Sequence, residues 1–162
     1  MSTANLAKLS LAVLLLVGAG FGFYRHFNRN SGVSEQLWFY DLSERKLFAA
    51  PRESLPPIRG LNNDEADAVR AVVICTSGNP DDSANRKIAY LEKYAPELRQ
   101  NLELAREGKV EPLPTKIRNG YRLVKNPDSE TWHAANSPEG VKIMNGWNIA
   151  GPDGKQPVVC AP

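Results

Sequence analysis

Two cysteines and one histidine are the side chains in the polar part of this chain best suited to chemistry. Cys75 ends the run Val69-Arg70-Ala71-Val72-Val73-Ile74-Cys75, Cys160 lies next to the C-terminal Ala161-Pro162, and His133 follows Trp132. A thiol beside an imidazole is an activated nucleophile. Two cysteines with histidines can ligate zinc, and two cysteines alone can form a disulfide.

Each chemistry has limited material. Structural zinc takes four ligands, and Cys75, Cys160, His133 and the distant His26 exhaust the supply of Cys and His. Cys75-Thr76-Ser77-Gly78 is only half of a C-x-x-C pair. A catalytic triad or dyad would rest on His133 alone, with no local signature around either cysteine. Asp64-Glu65-Ala66-Asp67 spells a helicase box, but no phosphate-binding G-x-x-x-x-G-K-[ST] loop accompanies it. The domain is therefore read as non-enzymatic, with no cofactor and no metal. Cys75 and Cys160 are expected to form a disulfide if the domain is exported, with two separate thiols as the alternative.

The elements that position these residues follow from periodicity. Leu37-Trp38-Phe39-Tyr40-Asp41 and Lys46-Leu47-Phe48-Ala49-Ala50 read as two strands around a turn at 42–45, and the β-branched run 68–75 as a buried strand. Ile88, Leu91, Tyr94 and Ala95 recur at helical spacing, which predicts a helix over 83–94 after the turn cluster Ser77–Asp82. Pro96 then opens a second helix, closed by Gly108. Asn119-Gly120 predicts a hairpin between strands 115–118 and 121–125. Thr131–Ala135 is a short strand, Ser137-Pro138-Glu139 starts a small helix, and Val158-Val159-Cys160 is a last strand. The fold class is α+β: a small mixed domain with antiparallel strands and two to three helices, preceded by one transmembrane helix.

That helix is expected in the first thirty residues. Leu9–Tyr24 carries no charge, Lys8 precedes it, and Arg25, His26 and Arg29 follow. Extended back to Leu6, the run approaches the roughly 20 residues that span a bilayer core, with Lys8 snorkelling. A secretory signal peptide is the rival, with Gly18-Ala19-Gly20 as its cleavage region. The continuing apolar residues Phe21, Phe23 and Tyr24 favour an anchor. Residues 1–26 are read as the anchor with a short tail, 27–36 as a linker and 37–162 as an extracytoplasmic domain. Gly18 and Gly22 form a small-residue face in the span, suited to close helix packing.

Charge supports this division. Of 20 basic and 18 acidic residues, Lys8, Arg25 and Arg29 and no acid fall within 1–30. The remainder, with 17 basic against 18 acidic side chains, is near neutral and has no footprint for nucleic acid. The flanking cations suit lipid headgroups.

Leu37-Trp38-Phe39-Tyr40-Asp41-Leu42, Lys46-Leu47-Phe48, Pro56-Pro57-Ile58, Tyr90-Leu91-Glu92-Lys93-Tyr94, Trp132, Ser137-Pro138-Glu139-Gly140 and Pro157–Pro162 together resemble a group of uncharacterised bacterial single-span membrane proteins. These have an "FYDL…LF…PPI" start and a "W…SPEG…C-x-P" end. The resemblance covers most of 37–162 and implies architecture rather than activity. It implies further cysteines in relatives, near Cys75 and ahead of Cys160; here Gly78 stands where one is expected.

The leading expectation is a single-pass protein of the bacterial cytoplasmic membrane, its domain outside, serving as a non-catalytic accessory or structural subunit of an envelope or membrane complex. Its partners would be the membrane and either a membrane protein or a second copy, met through the anchor. Two rivals stand beside it. One is a pilin-like surface subunit, although prepilins place a glycine before the apolar run and a glutamate just inside it. The other is a thiol- or metal-dependent protein using Cys75, Cys160 and His133.

Overall fold

The structure is a computed structural model, described here over residues 34–162 apart from Asn63. The anchor run, Gly18 and Gly22, and most of the linker lie outside the described residues. Among the described residues no helix is long and apolar enough to cross a membrane.

The domain is α+β, an antiparallel sheet with three helices. Its strands are β1 (Gln36–Asp41), β2 (Lys46–Pro51), β3 (Ala68–Cys75), β4 (Arg86–Tyr94), β5 (Arg122–Lys125), β6 (His133–Ala134) and β7 (Val158–Val159). The order is β2-β1-β3-β4-β5-β6, with β7 on β3. β3 is central because its β-branched run can be buried along its whole length. Its first residues pair with β1, at Phe39↔Arg70 and Asp41↔Ala68, and its last two with β7, at Ile74↔Val159 and Cys75↔Val158. β4 pairs along the whole opposite side, from Arg70↔Glu92 to Cys75↔Arg86.

The expected helix over 83–94 is not there. Ser83–Asn85 is one 3-10 turn, capped by Asp82, and Arg86–Tyr94 is strand β4. The physical reason is a bulge. Val72 pairs with Tyr90 but Val73 pairs with Ile88, so Ala89 is an extra residue in β4. Without it, Ile88 and Leu91 would point to opposite faces; with it, both join the cluster of Val69, Ala71 and Val73. The three-residue spacing that imitates a helix is a strand crossing a bulge.

The expected Asn119-Gly120 hairpin is also absent. Both residues lie inside a helix, Thr115–Tyr121, and only Arg122–Lys125 is strand. The Pro114 carbonyl accepts from the Ile117 and Arg118 N–H groups, which starts the helix, and β5 pairs with β4 rather than with the segment before it. Hydrogen bonds to an existing sheet outweigh a local turn preference.

The three helices are α1 (Pro96–Arg106), α2 (Thr115–Tyr121) and α3 (Pro138–Asn145). α1 has Pro96 in its first turn, where a missing N–H costs nothing, and ends before Gly108 at φ 71°. It buries Leu98. α3 explains Ser137-Pro138-Glu139-Gly140. Ser137 Oγ accepts from Gly140 N at 3.0 Å and donates to Ala134 O at 2.8 Å. Pro138 starts the helix, and Glu139 complements its dipole. Gly140 permits the close approach to β6: a Cβ there would lie 2.0 Å from Ala134 O.

One sheet face carries Val69, Ala71, Val73 and Leu91, with Trp38, Tyr40, Leu42, Ile88 and Trp132 packed against them. Two cations lie against the Trp132 ring, Lys93 Nζ at 4.4 Å and Lys125 Nζ at 5.4 Å from its centre. Burial, and then the Lys125 charge, hold the Lys93 ammonium below its usual range. On the opposite face Phe39 meets Phe48, with ring centroids 6.1 Å apart.

Candidate functional site

Cys75 and Cys160 are brought together. Cys75 ends β3, and Cys160 follows β7, where its N–H donates to the Val73 carbonyl at 2.9 Å. The Cα atoms are 6.1 Å apart and the sulfurs lie at bonding distance, 2.05 Å. Both residues are buried. A short C-terminal strand of two residues is thus held on the sheet by backbone pairing and by this pair.

His133 stands elsewhere. It pairs with Val124, in a strand separated from β3 by β4 and β5. At the usual inter-strand spacing, three steps are roughly 14 Å. The imidazole borders an open cleft of about 470 Å³, shared with Glu139, Lys142 and Trp147. Neither cysteine lines it. Among the described residues, no three His, Cys, Asp or Glu side chains gather as a metal site.

A buried polar constellation lies away from both cysteines and His133, and the sequence reading missed it. Arg70, Glu92 and Arg122 lie on β3, β4 and β5, on the sheet face opposite Ala71 and Leu91. Arg70 is directly across from Glu92, and Arg122, across from Tyr94, is one diagonal step away. Glu92 is buried, with 1 % of its surface exposed. Its Oε2 accepts from Arg122 Nη2 at 2.5 Å, and Arg70 Nη1 lies 3.8 Å from Oε1. The second arm of the Arg122 fork donates to Asn119 Oδ1 at 3.2 Å.

The electrostatics follow from burial beside opposite charge. Burial works to lower the Arg122 pKa, but the hydrogen bond and charge of Glu92 outweigh it, so its proton is held more tightly than usual. Tyr94 and Tyr90 are pushed up, first by burial and then by the Glu92 charge. The cluster borders a cavity of about 310 Å³ that also includes Arg118 from α2 and Leu98 and Leu102 from α1. Arg118 donates to Thr115 Oγ1 at 2.9 Å, and its buried Nε has no partner among the described residues.

A sequence signal did exist. Arg70 interrupts Ala-Val-Arg-Ala-Val-Val-Ile-Cys, and Glu92 interrupts Ala-Tyr-Leu-Glu-Lys-Tyr. A charge inside a buried strand needs a partner. Identifying the partner required the register, and the helical reading of 83–94 removed Glu92 from the sheet.

No family model, curated protein or solved structure matches the chain.

Proposed function

We propose that this chain is a single-pass protein of the bacterial cytoplasmic membrane whose extracytoplasmic domain is a non-catalytic accessory or structural subunit of an envelope or membrane complex. The observation that carries the reading is the burial of Cys75 and Cys160 side by side, with their Cα atoms 6.1 Å apart, a spacing a disulfide requires. Two cysteines at this separation are stable as a disulfide in an oxidising compartment, which cytosol is not. Export through an N-terminal apolar segment supplies that compartment, and Leu9–Tyr24 is such a segment. The buried ionic groups also have structural work, since Glu92 ties three strands together through Arg70 and Arg122.

In this reading the anchor packs on another transmembrane helix, or on its own copy, through Gly18 and Gly22. In lipid, association depends on close backbone approach, which two glycines one turn apart allow. The test combines placement and partners. Alkaline carbonate washing leaves the protein in the membrane pellet, and recovery from mild detergent brings a membrane partner or a second copy. Replacing Gly18 and Gly22 with Leu preserves insertion and reduces that recovery. Release into the wash, with an N-terminus beginning after Gly20, would replace the anchor with a cleaved signal.

A further inference from the structure

We propose that the pocket of Arg70, Arg118 and Arg122 binds a small organic dianion, a phosphate monoester or a dicarboxylate. This site is independent of the anchor and of the disulfide.

The first argument is charge. Three guanidinium groups and one carboxylate, Glu92, line the cavity, leaving two positive charges in excess. Glu92 is shared between Arg70 and Arg122, so neither of these is fully neutralised by a partner of its own. Among the described residues, Arg118 has the neutral Thr115 hydroxyl as its hydrogen-bond acceptor, and its buried Nε is unpartnered. A purely structural ion pair needs one arginine for Glu92. Two beside that acid and a third on the wall of the same cavity are an arrangement that an anion completes.

The second argument is geometry. Guanidinium forks match the paired oxygens of carboxylate and phosphate, and Arg is favoured wherever such recognition is bidentate. Arg70 and Arg122 come from strands, and Glu92 holds them from below. Their side chains remain about one-third exposed, at 33 % and 31 %, and each guanidinium has five N–H donors, more than Glu92, Asn119 and the Tyr94 hydroxyl take up. A site on paired strands is pre-organised, which limits the ordering cost of binding.

The third argument is shape. About 310 Å³ is at the small end of ligand pockets. Leu98 and Leu102 give it an apolar wall beside the cationic one. That combination fits a compact organic body carrying its charge at one end, with net charge matching the excess.

The test uses the full chain in detergent micelles at constant chloride concentration. Glycerol phosphate and succinate are titrated separately by calorimetry. Saturable binding of glycerol phosphate alone assigns the phosphate form, saturation by succinate alone the dicarboxylate form, and either supports the site. Arg118→Gln leaves both Glu92 ion pairs in place and weakens that binding by about tenfold, the loss expected for one hydrogen bond to a charged group. Arg118→Lys, which keeps the charge but loses the fork, is also weaker than the parent. Failure of both ligands to saturate below about 10 mM, a very weak affinity, overturns the proposal. So does equal affinity in a folded Arg118→Gln or Arg118→Lys protein.

Discussion

Glu92 Oε2 lies 2.5 Å from Arg122 Nη2, joining β4 to β5 one diagonal step apart on the same sheet face. Arg70 flanks Glu92 from β3, so one buried carboxylate links three consecutive strands. Truncating it leaves two guanidiniums facing each other beside a buried hole. Loss of one partner of a buried pair costs about 3–5 kcal/mol, and partial exposure of the arginines reduces this. Glu92→Ala is expected to destabilise by about 2–3 kcal/mol in urea unfolding. Removing Arg122 in the same chain recovers part of that loss. An additive double mutant would mean that the pair is not coupled.

The cysteine pair closes a loop with a sequence separation of 85. In the chain-entropy account, such a loop stabilises by up to about 4–5 kcal/mol, because it restricts the unfolded chain. Chymotryptic peptides of unreduced, membrane-purified protein should contain Cys75 joined to Cys160. Cys160→Ser is expected to lower the melting temperature and to expose the two-residue strand β7 to proteolysis. Two alkylatable thiols in the untreated protein would contradict this.

Strands β1, β2 and β3 and helices α1 and α3 were legible in the sequence, because each has a concentrated β-forming run or a strong end signal. Pro96 and Ser137-Pro138 mark helix starts whatever the rest of the chain does. What was not legible depended on pairing. Ile88 and Leu91 follow a helical spacing only because Ala89 bulges out of β4. Asn119-Gly120 has hairpin chemistry, yet the Pro114 carbonyl and the free edge of β4 decide the outcome. The same limit hid the Arg70–Glu92–Arg122 cluster, whose members are 22 and 30 positions apart and meet only through strand register. The Cys75–Cys160 pairing was legible because only two cysteines were available.

Gly140 brings the backbone of α3 directly against β6. An added Cβ would lie 2.0 Å from Ala134 O and 2.9 Å from the Ala134 carbonyl carbon, and both are backbone atoms that cannot swing aside. Helix propensity alone favours Ala over Gly by about 1 kcal/mol. The clash reverses that sign, and Gly140→Ala is expected to destabilise by at least about 2 kcal/mol, as overpacking does. Val141→Ala, at an exposed position on the same helix, provides the comparison and should be nearly neutral. A Gly140→Ala protein as stable as the parent would mean that α3 can move away from β6 at little cost.

Asp41 gives the domain a defined acid response. Its residue exposes no surface, and its carboxylate collects four donors: Ser43 N at 3.0 Å, Ser43 Oγ at 2.9 Å, Glu44 N at 2.8 Å and Leu61 N at 2.7 Å. These bonds close the turn after β1 and hold a loop twenty residues further on. The Glu44 and Leu61 N–H groups, with those of Ser43, hold its pKa below the usual carboxylate value against the opposing effect of burial. A group whose pKa is lowered by folding contributes stability that is fully present above its unfolded pKa. That stability is lost as pH falls through the folded value, because the unfolded chain takes up the proton first. Unfolding free energy should therefore fall as the pH drops below the ordinary carboxylate range, about pH 4. Asp153 is also held low, chiefly by the Lys155 N–H that donates to its Oδ1 at 3.2 Å, and contributes a slope of the same sign. Asp41→Asn separates the contributions. It places an amide donor against backbone donors, so the variant is less stable at neutral pH. It also removes the Asp41 titration, so its stability falls less steeply than that of the parent across the acid range. Parallel pH curves for the two proteins would show that the four donors do not discriminate between the charged and neutral carboxyl.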